Sequence, residues 1–259
     1  MGDVYGVILR DHIKAEIERR DFIYNDEDYA VSRKMIAEIN CMGYNFKYLS
    51  EIEAYQIPNV APIIEKYIHS FKAQSTRAYL VPHLSLEKRS ETILGLYLNF
   101  KDSQEYIAPA GVRAPAHIYV RYDNALQKCA PKALKNRLVE LLSNPRDAFY
   151  LPFTARMLSS WKIPEFKQVL ISYLNSEDLK HGDVGLKNDG LIYFPSFDYI
   201  KKDLQFTAVA GLKYYPQDDT VSLLENELKK AKAAADKDMK SAIEKSLKRV
   251  ERFANKNHT

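Results

Sequence analysis

A repeated segment is the feature of this sequence that most restricts its fold. Residues 55–68 (YQIPNVAPIIEKYI) are matched 106 positions later by residues 161–174 (WKIPEFKQVLISYL). Both copies follow the pattern aromatic, x, Ile, Pro, x, apolar, x, x, apolar, apolar, x, x, Tyr, apolar. A third copy follows 54 positions further on, and its matched pairs are Leu158 with Leu212, Trp161 with Tyr215, and Leu170 with Leu224. Three copies at related offsets indicate that one structural unit is repeated along the chain.

The proline of each copy predicts where a helix begins. Proline is tolerated in the first helical turn because its missing N–H would have no partner there. Helices are therefore predicted to begin at Pro58, at Pro164 and just after Pro216. The apolar residues of the second copy then recur with helical spacing, at Phe166, Val169, Leu170, Tyr173 and Leu174. They form one stripe about 100° wide, so each helix needs a neighbour to pack against.

A second amphipathic helix precedes the repeated one, most clearly at 203–215. Its small residues Ala208, Ala210 and Gly211 allow a neighbouring helix to approach closely. Each copy is therefore predicted to be a helical hairpin. Other helices are predicted at 3–24 (irregular), 26–40, 75–85, 90–100, 117–128, 131–142, 147–160 (with Asp147 as its N-cap) and 236–254 (a capping helix with Met239, Ile243, Leu247, Val250 and Ala254 on its apolar face).

Composition agrees with an all-α chain. Glycine supplies only 9 of the 259 residues, about half of the usual roughly 7%, which does not favour a fold with many tight turns. Cys41 and Cys129 are too few for a disulfide framework or a zinc site, and we expect both to be reduced and buried. No apolar run reaches the roughly 18 residues of a membrane span. We therefore expect a cytoplasmic protein.

The repeats resemble the HEAT-like family, including the short bacterial HEAT and phycobilisome-lyase-type repeats. The best match is 203–228 (DLQFTAVAGLKYYPQDDTVSLLENEL), followed by 138–174, within repeats that cover about 26–228. The resemblance implies a single domain over 1–259, folded as a right-handed α-solenoid of stacked helical hairpins. It also implies a concave surface that usually binds another macromolecule. Residues 102–115 and 175–197 depart from the repeat because they contain Gly and Pro, and we predict loops there.

Positive charge is concentrated at the C-terminal end. Residues 221–259 contain 10 basic and 6 acidic residues, and this excess equals the net charge of +4 for the whole chain. Proteins that bind nucleic acid along their length normally distribute Lys and Arg over that length, because each neutralised phosphate adds affinity. Acidic residues also lie four positions from basic ones, as in Lys240 and Glu244. This pattern indicates a solvated helical face.

The second helices of the repeats, which line the concave side in such folds, carry polar residues of both signs away from their apolar stripes. Ile171 lies among them, and an apolar residue on a charged surface indicates a protein contact. We therefore predict a non-enzymatic module that binds a protein partner in an adaptor, scaffold or immunity-type role. Its predicted contact residues are Lys66, Lys167, Gln168 and Ile171. No catalytic residue, metal site or cofactor is predicted.

Two enzymatic or nucleic-acid alternatives stay open. A HEAT-like nucleic-acid-binding protein or alkylpurine DNA glycosylase would match the size of the chain, its basic end and the single Trp161. Trp161 has an aromatic counterpart in each copy, however, which favours packing in the turn of the hairpin. Some related repeat families contain lyases or hydroxylases that act on proteins. Residues 178–183 (DLKHGD) could bind a metal, but they lack the i, i+4 ligand spacing of a helical site and are interpreted as a solvated loop.

Overall fold

The computed structural model describes residues 26–49, 51–52, 57, 59–101, 116–175 and 197–256. Every regular element in these ranges is helical, which confirms the all-α prediction. The chain divides into two compact units, the N-terminal unit (Met1–Ala130) and the C-terminal unit (Pro131–Thr259). The helices of the N-terminal unit are α1 (Asp26–Asn40), α2 (Ala61–Ile68), α3 (Gln74–Leu86), α4 (Ser90–Lys101) and α5 (Ala116–Cys129). Those of the C-terminal unit are a 3-10 turn (Lys132–Leu134), α6 (Lys135–Leu142), α7 (Pro145–Tyr150), α8 (Pro152–Ser160), α9 (Pro164–Leu174), α10 (Phe197–Leu212), α11 (Asp218–Ala233) and α12 (Lys237–Lys256).

The prolines of the repeat mark helix starts in the C-terminal unit as predicted. Pro164 is the first residue of α9, and α11 begins at Asp218, two residues after Pro216. In the N-terminal unit α2 begins at Ala61, three residues later than predicted. The reason is Asn59, whose φ of 61° lies in the left-handed region and interrupts a right-handed helix.

Matched positions of the repeat are buried alike. Ile64, Leu170 and Leu224 occupy equivalent places in α2, α9 and α11, and each is fully buried. Val60 and Phe166, also equivalent, are fully buried too. The copies therefore use the same stripe for packing. The right-handed solenoid and the single domain over 1–259 stay predictions.

Aromatic side chains and one buried carboxylate organise the N-terminal unit. The Phe100 ring of α4 lies 5.1 Å from the Tyr119 ring and 5.8 Å from the Tyr122 ring of α5, measured between centroids. Asp28 of α1 is fully buried and accepts hydrogen bonds from the backbone N–H groups of Lys72 and Ala73, just before α3. The carboxylate thus satisfies backbone donors that precede a helix and fixes α1 against α3.

In the C-terminal unit α10 packs against α7, α8, α9 and α12. Its closest approach is at Gly211, where a Cβ atom would lie 2.6 Å from Ser159 Oγ of α8 and 2.7 Å from Leu170 Cδ1 of α9. The predicted role of Gly211 in close helix approach is confirmed. On α12, the buried Ser246 hydroxyl donates a hydrogen bond to the carbonyl of Val209 at 2.9 Å. Neighbours on both sides therefore fix the position of α10.

The capping helix α12, predicted over 236–254, spans Lys237–Lys256 and begins just after Asp236. Asp236 Oδ1 accepts the backbone N–H of Met239 at 3.0 Å, as an N-cap does, and its other oxygen lies 2.9 Å from Lys202 Nζ of α10. These two donors lower the pKa of Asp236. Of the predicted apolar face, Met239, Ile243 and Val250 are buried, and Leu247 is half-buried.

Several other predictions were wrong or lie outside the described residues. The helix predicted at 147–160 is two helices, α7 and α8, because Pro152 begins a new helix; Asn144 caps α7, whereas Asp147 is buried inside it. Cys41 is exposed, although Cys129 is buried as expected, and burial raises the pKa of the Cys129 thiol to about 11. Outside the described ranges lie the helix predicted at 3–24, the loop predicted at 102–115 and, of the loop predicted at 175–197, residues 176–196. None of the described helices is long and apolar enough to span a membrane.

Gly211 gives a direct test of this packing. We expect Gly211→Ala to lower the free energy of unfolding by about 1–2 kcal/mol, because overpacking against Ser159 and Leu170 exceeds the gain in helix propensity. Gly95 of α4 is the matched control: a Cβ there meets nothing within 4 Å, so Gly95→Ala should raise stability by about 0.5–1 kcal/mol. Equilibrium urea unfolding measures both. Equal effects of the two substitutions would contradict the close approach.

Candidate functional site

Of the four predicted contact residues, Lys66 and Gln168 are exposed and Ile171 is half-buried. Lys66 of α2 is exposed, and its ammonium lies 2.6 Å from Glu38 Oε2 of α1. The same oxygen accepts a hydrogen bond from the Tyr67 hydroxyl at 2.8 Å, and the two donors, Lys66 first, lower the pKa of Glu38. On α9, Gln168 is exposed and Ile171 is half-buried. Lys66 belongs to the N-terminal unit, whereas Gln168 and Ile171 belong to the C-terminal unit.

Lys167 was wrongly predicted to lie on an exposed face. Its side chain is only 7% exposed, and its ammonium lies 2.9 and 2.7 Å from the two carboxylate oxygens of Asp219. Gln217 Oε1 accepts a third hydrogen bond from it. The long side chain therefore crosses from α9 to the N-terminal end of α11. The repeat pattern could not show this, because it describes one face of α9 and not what packs beside it.

A groove in the C-terminal unit lies between α8, α10 and α12, and five charged side chains line it. Its volume is about 470 Å³. We call it the cationic groove; its lining residues are Arg156 of α8, Asp203, Phe206, Val209, Ala210 and Lys213 on or just after α10, and Ala242, Lys245, Ser246 and Arg249 of α12. Four of these are basic and one is acidic. Phe206, Val209, Ala210 and Ala242 supply its apolar lining, which we call the floor of the groove.

Like charges in the cationic groove lie close enough to affect one another. Burial lowers the pKa of Lys213, and the positive charges of Arg249 and Arg156 lower it further. Burial raises the pKa of Asp203, which the charge of Arg156 only partly opposes. Burial disfavours the charged form of both groups, and only the lowered pKa of Lys213 also reports repulsion among the bases. A bound anion would relieve the repulsion among the bases.

Aromatic rings support three of the four cations of the groove. Lys213 Nζ lies 5.1 Å and Arg249 Cζ 5.4 Å from the centroid of the same Tyr214 ring. Arg156 Cζ lies 5.5 Å from the Phe153 centroid on α8. These distances are within the range of favourable cation–π contacts. A ring holds a cation by a contact that adds no negative charge to the groove.

A second cavity, of about 610 Å³, lies in the N-terminal unit between α3 and α5. It is larger, but its charged lining residues are only Arg121 and Lys128. Val120, 49% exposed, lies on its rim. With fewer charged side chains, this second cavity indicates the chemistry of a ligand less clearly than the cationic groove does.

The residues that suggested other chemistry do not gather at this site. Trp161 is half-exposed at the end of α8 and does not line the cationic groove. Its counterpart Tyr215 is buried and donates a hydrogen bond to the carbonyl of Ile163 at 2.9 Å. The described ranges contain no group of three His, Cys, Asp or Glu side chains placed to hold a metal. The segment 178–183 lies outside those ranges.

Sequence reasoning missed the groove, although part of its signal was visible. Asp203, Phe206, Ala210 and Lys213 recur at spacings of three, four and three, which place them on one face of a helix. Lys245 and Arg249 likewise share a face of α12, which was interpreted as solvated. The periodicity of a single helix cannot show that Arg156, almost fifty residues before Asp203, lies beside these faces of α10 and α12.

Comparisons of the chain with protein-family models, with curated proteins and with solved structures give no match.

The link between Lys167 and Asp219 is a testable feature of this region. We expect Asp219→Ala to lower the free energy of unfolding by about 1–2 kcal/mol, because the buried ammonium loses two of the three hydrogen bonds described above and keeps the one to Gln217. Hydrogen bonding from Lys167 lowers the pKa of Asp219, so this contribution is present at neutral pH and is lost as the pH falls below the usual carboxyl pKa of about 3.9.

Asp218→Ala is the matched control for that substitution. Asp218 lies in the same first turn of α11 and is also exposed, so both variants lose the same interaction with the helix dipole. Urea unfolding at pH 7 and at pH 3 separates the two variants. A loss of stability equal for both at pH 7 would show that Lys167 does not depend on Asp219.

Proposed function

We propose that this protein is a non-enzymatic interaction module of helical repeats, and that it binds an acidic segment of a protein partner in the cationic groove. One observation carries the proposal: basic side chains from three helices converge on one groove with an apolar floor. A role as an adaptor, a scaffold or an immunity-type protein fits this activity.

The composition of the groove matches what a protein partner offers. Arginine and aromatic residues are enriched where proteins bind each other, and apolar contact area supplies much of the affinity. Arg156, Arg249 and Phe206 supply these residue types. An excess of positive charge attracts acidic surfaces and accelerates their association. A partner segment that alternates acidic and apolar residues would satisfy both the bases and the floor.

The exposed positions of α9 form a second part of the proposal. Gln168 is exposed and Ile171 is half-buried on that helix, so both are available for a partner that extends beyond the groove. Lys66 is exposed on the N-terminal unit and keeps its proposed role there. Lys167 is not part of the proposed surface, because its ammonium is paired with Asp219.

Nucleic acid is the second candidate ligand, and the four bases of the groove are the observation that favours it. Two acids weigh against it. Asp203 lies inside the groove, and the half-buried Glu244 lies on α12 beside Lys245. A phosphate backbone would meet these carboxylates along its path, whereas a short acidic segment needs only the bases.

Peptide binding tests the proposal. The probe is a labelled peptide that alternates Asp or Glu with Leu or Phe, and its affinity is measured by fluorescence anisotropy. We expect Lys213→Gln combined with Arg249→Gln to weaken binding at least about tenfold, because desolvated charge pairs each contribute on the order of 1 kcal/mol or more. Lys229→Gln combined with Arg252→Gln removes the same charge from exposed positions outside the groove and should change the affinity little.

The control variant decides the result. Equal weakening by both double variants would indicate non-specific attraction and overturn the groove as the binding site. Duplex DNA is measured with the same variants at several salt concentrations. DNA that binds the groove more tightly than the peptide, with a steep dependence on salt, would favour the second candidate.

A further inference from the structure

We propose that the cationic groove contains a subsite for a phosphoryl group, formed by Arg156, Lys213 and Arg249. This inference rests on the proposed function, because it specifies the chemistry of the partner segment that the groove binds. The ligand group is a phosphate monoester, carried either by a phosphorylated side chain of the partner or by a small molecule.

The groove offers a phosphoryl group several cationic donors. The three residues come from α8, from the end of α10 and from α12, so the donors approach one volume from different directions. Two of them are guanidinium groups, whose planar N–H pairs match two oxygens of a phosphate. Lys213 adds an ammonium with three donors. A phosphate monoester presents three acceptor oxygens, one more than a carboxylate does.

The net charge of the groove also favours a phosphoryl group. Four bases and one acid line the groove, so a single carboxylate would leave it strongly positive. A phosphate monoester carries about −1.5 to −2 at pH 7 and compensates roughly twice as much. The pKa of Lys213 is lowered by burial and then by Arg249 and Arg156, which shows that the repulsion reaches this amine. A dianion beside Lys213 would reverse that effect.

Aromatic rings also position the three cations. Tyr214 contacts both Lys213 and Arg249, and Phe153 contacts Arg156. Cation–π contacts restrict where a cation lies, and this preorganisation lowers the entropy cost of binding a phosphoryl group.

The size of the groove indicates what carries the phosphoryl group. A volume of about 470 Å³ exceeds what a free phosphate needs, so the groove has room for the group that carries the phosphoryl. Phe206, Val209 and Ala242 offer that carrier an apolar contact. A phosphorylated side chain or an aryl phosphate fits this combination better than inorganic phosphate does.

The test compares one peptide in three forms on the full chain: with phosphoserine, with glutamate and with serine at the central position of an acidic sequence. Phenyl phosphate and benzoate form a second pair, which shares the ring and differs in charge. Isothermal titration calorimetry measures all five. We expect the phosphoserine peptide to bind at least about tenfold more tightly than the glutamate peptide, and phenyl phosphate more tightly than benzoate.

Two variants and one control assign the effect to the subsite. Lys213→Met should remove most of the gain from phosphorylation. Arg249→Lys keeps the charge but loses the paired donors, so it should weaken the phosphoserine peptide about tenfold and the glutamate peptide much less. Lys229→Met, an exposed change outside the groove, should leave all affinities unchanged. Thermal unfolding confirms that each variant is folded.

The outcomes separate this inference from the proposed function. Equal affinity for the phosphoserine and glutamate peptides overturns the phosphoryl subsite and leaves the groove as an acidic-segment site. Binding of phenyl phosphate without binding of any peptide supports the subsite, assigns it to a small molecule and overturns the protein-binding function. A gain from phosphorylation that persists in Lys213→Met and Arg249→Lys overturns the subsite, and the absence of any binding overturns both proposals.

Discussion

The contact of α10 with its neighbours on two sides is the constraint on which the rest of the C-terminal unit depends. At Gly211 there is no room for a Cβ atom between α10 and the side chains of Ser159 and Leu170. On α12, Ser246 bonds to the carbonyl of Val209. With both contacts made, the rotation of α10 about its axis is fixed. The face that includes Asp203 and Lys213 must then lie toward α8 and α12, and the cationic groove is the result.

Two lysines of the C-terminal unit, one buried and one half-buried, differ in the contacts of their ammonium groups. Lys167 is almost fully buried, and Asp219 and Gln217 supply its acceptors. Such a partner offsets the large cost of removing an ammonium from water. Lys213 is half-buried beside two guanidinium groups, and the ring of Tyr214 is its contact instead. The first arrangement stabilises the fold, whereas the second concentrates positive potential where a ligand can reach it.

The sequence predicts what a single helix determines and misses what several helices determine together. The bounds of α1 were predicted to the residue, and the proline of α9 marked its start, because periodicity and capping are local properties. Lys167 was predicted to be exposed, but its burial depends on Asp219 of α11. The apolar stripe of α9 carries no information about where α11 lies. The same limit applies to the groove. Nothing in the sequence of α8 distinguishes Arg156, which becomes part of the groove only because α10 and α12 lie beside it.

The distribution of charge along the sequence was misleading for the same reason, because it drew attention to the C-terminal end alone. All the excess of positive charge lies after residue 220, and residues 1–220 are neutral in sum. The groove nevertheless takes Arg156 and Lys213 from the neutral part and Lys245 and Arg249 from the basic end. A sum over sequence cannot detect this, because electrostatic potential depends on distances in space, and the acids that balance Arg156 and Lys213 in the sum lie mostly elsewhere. The local excess, and not the net charge of the chain, is what an anionic ligand would experience.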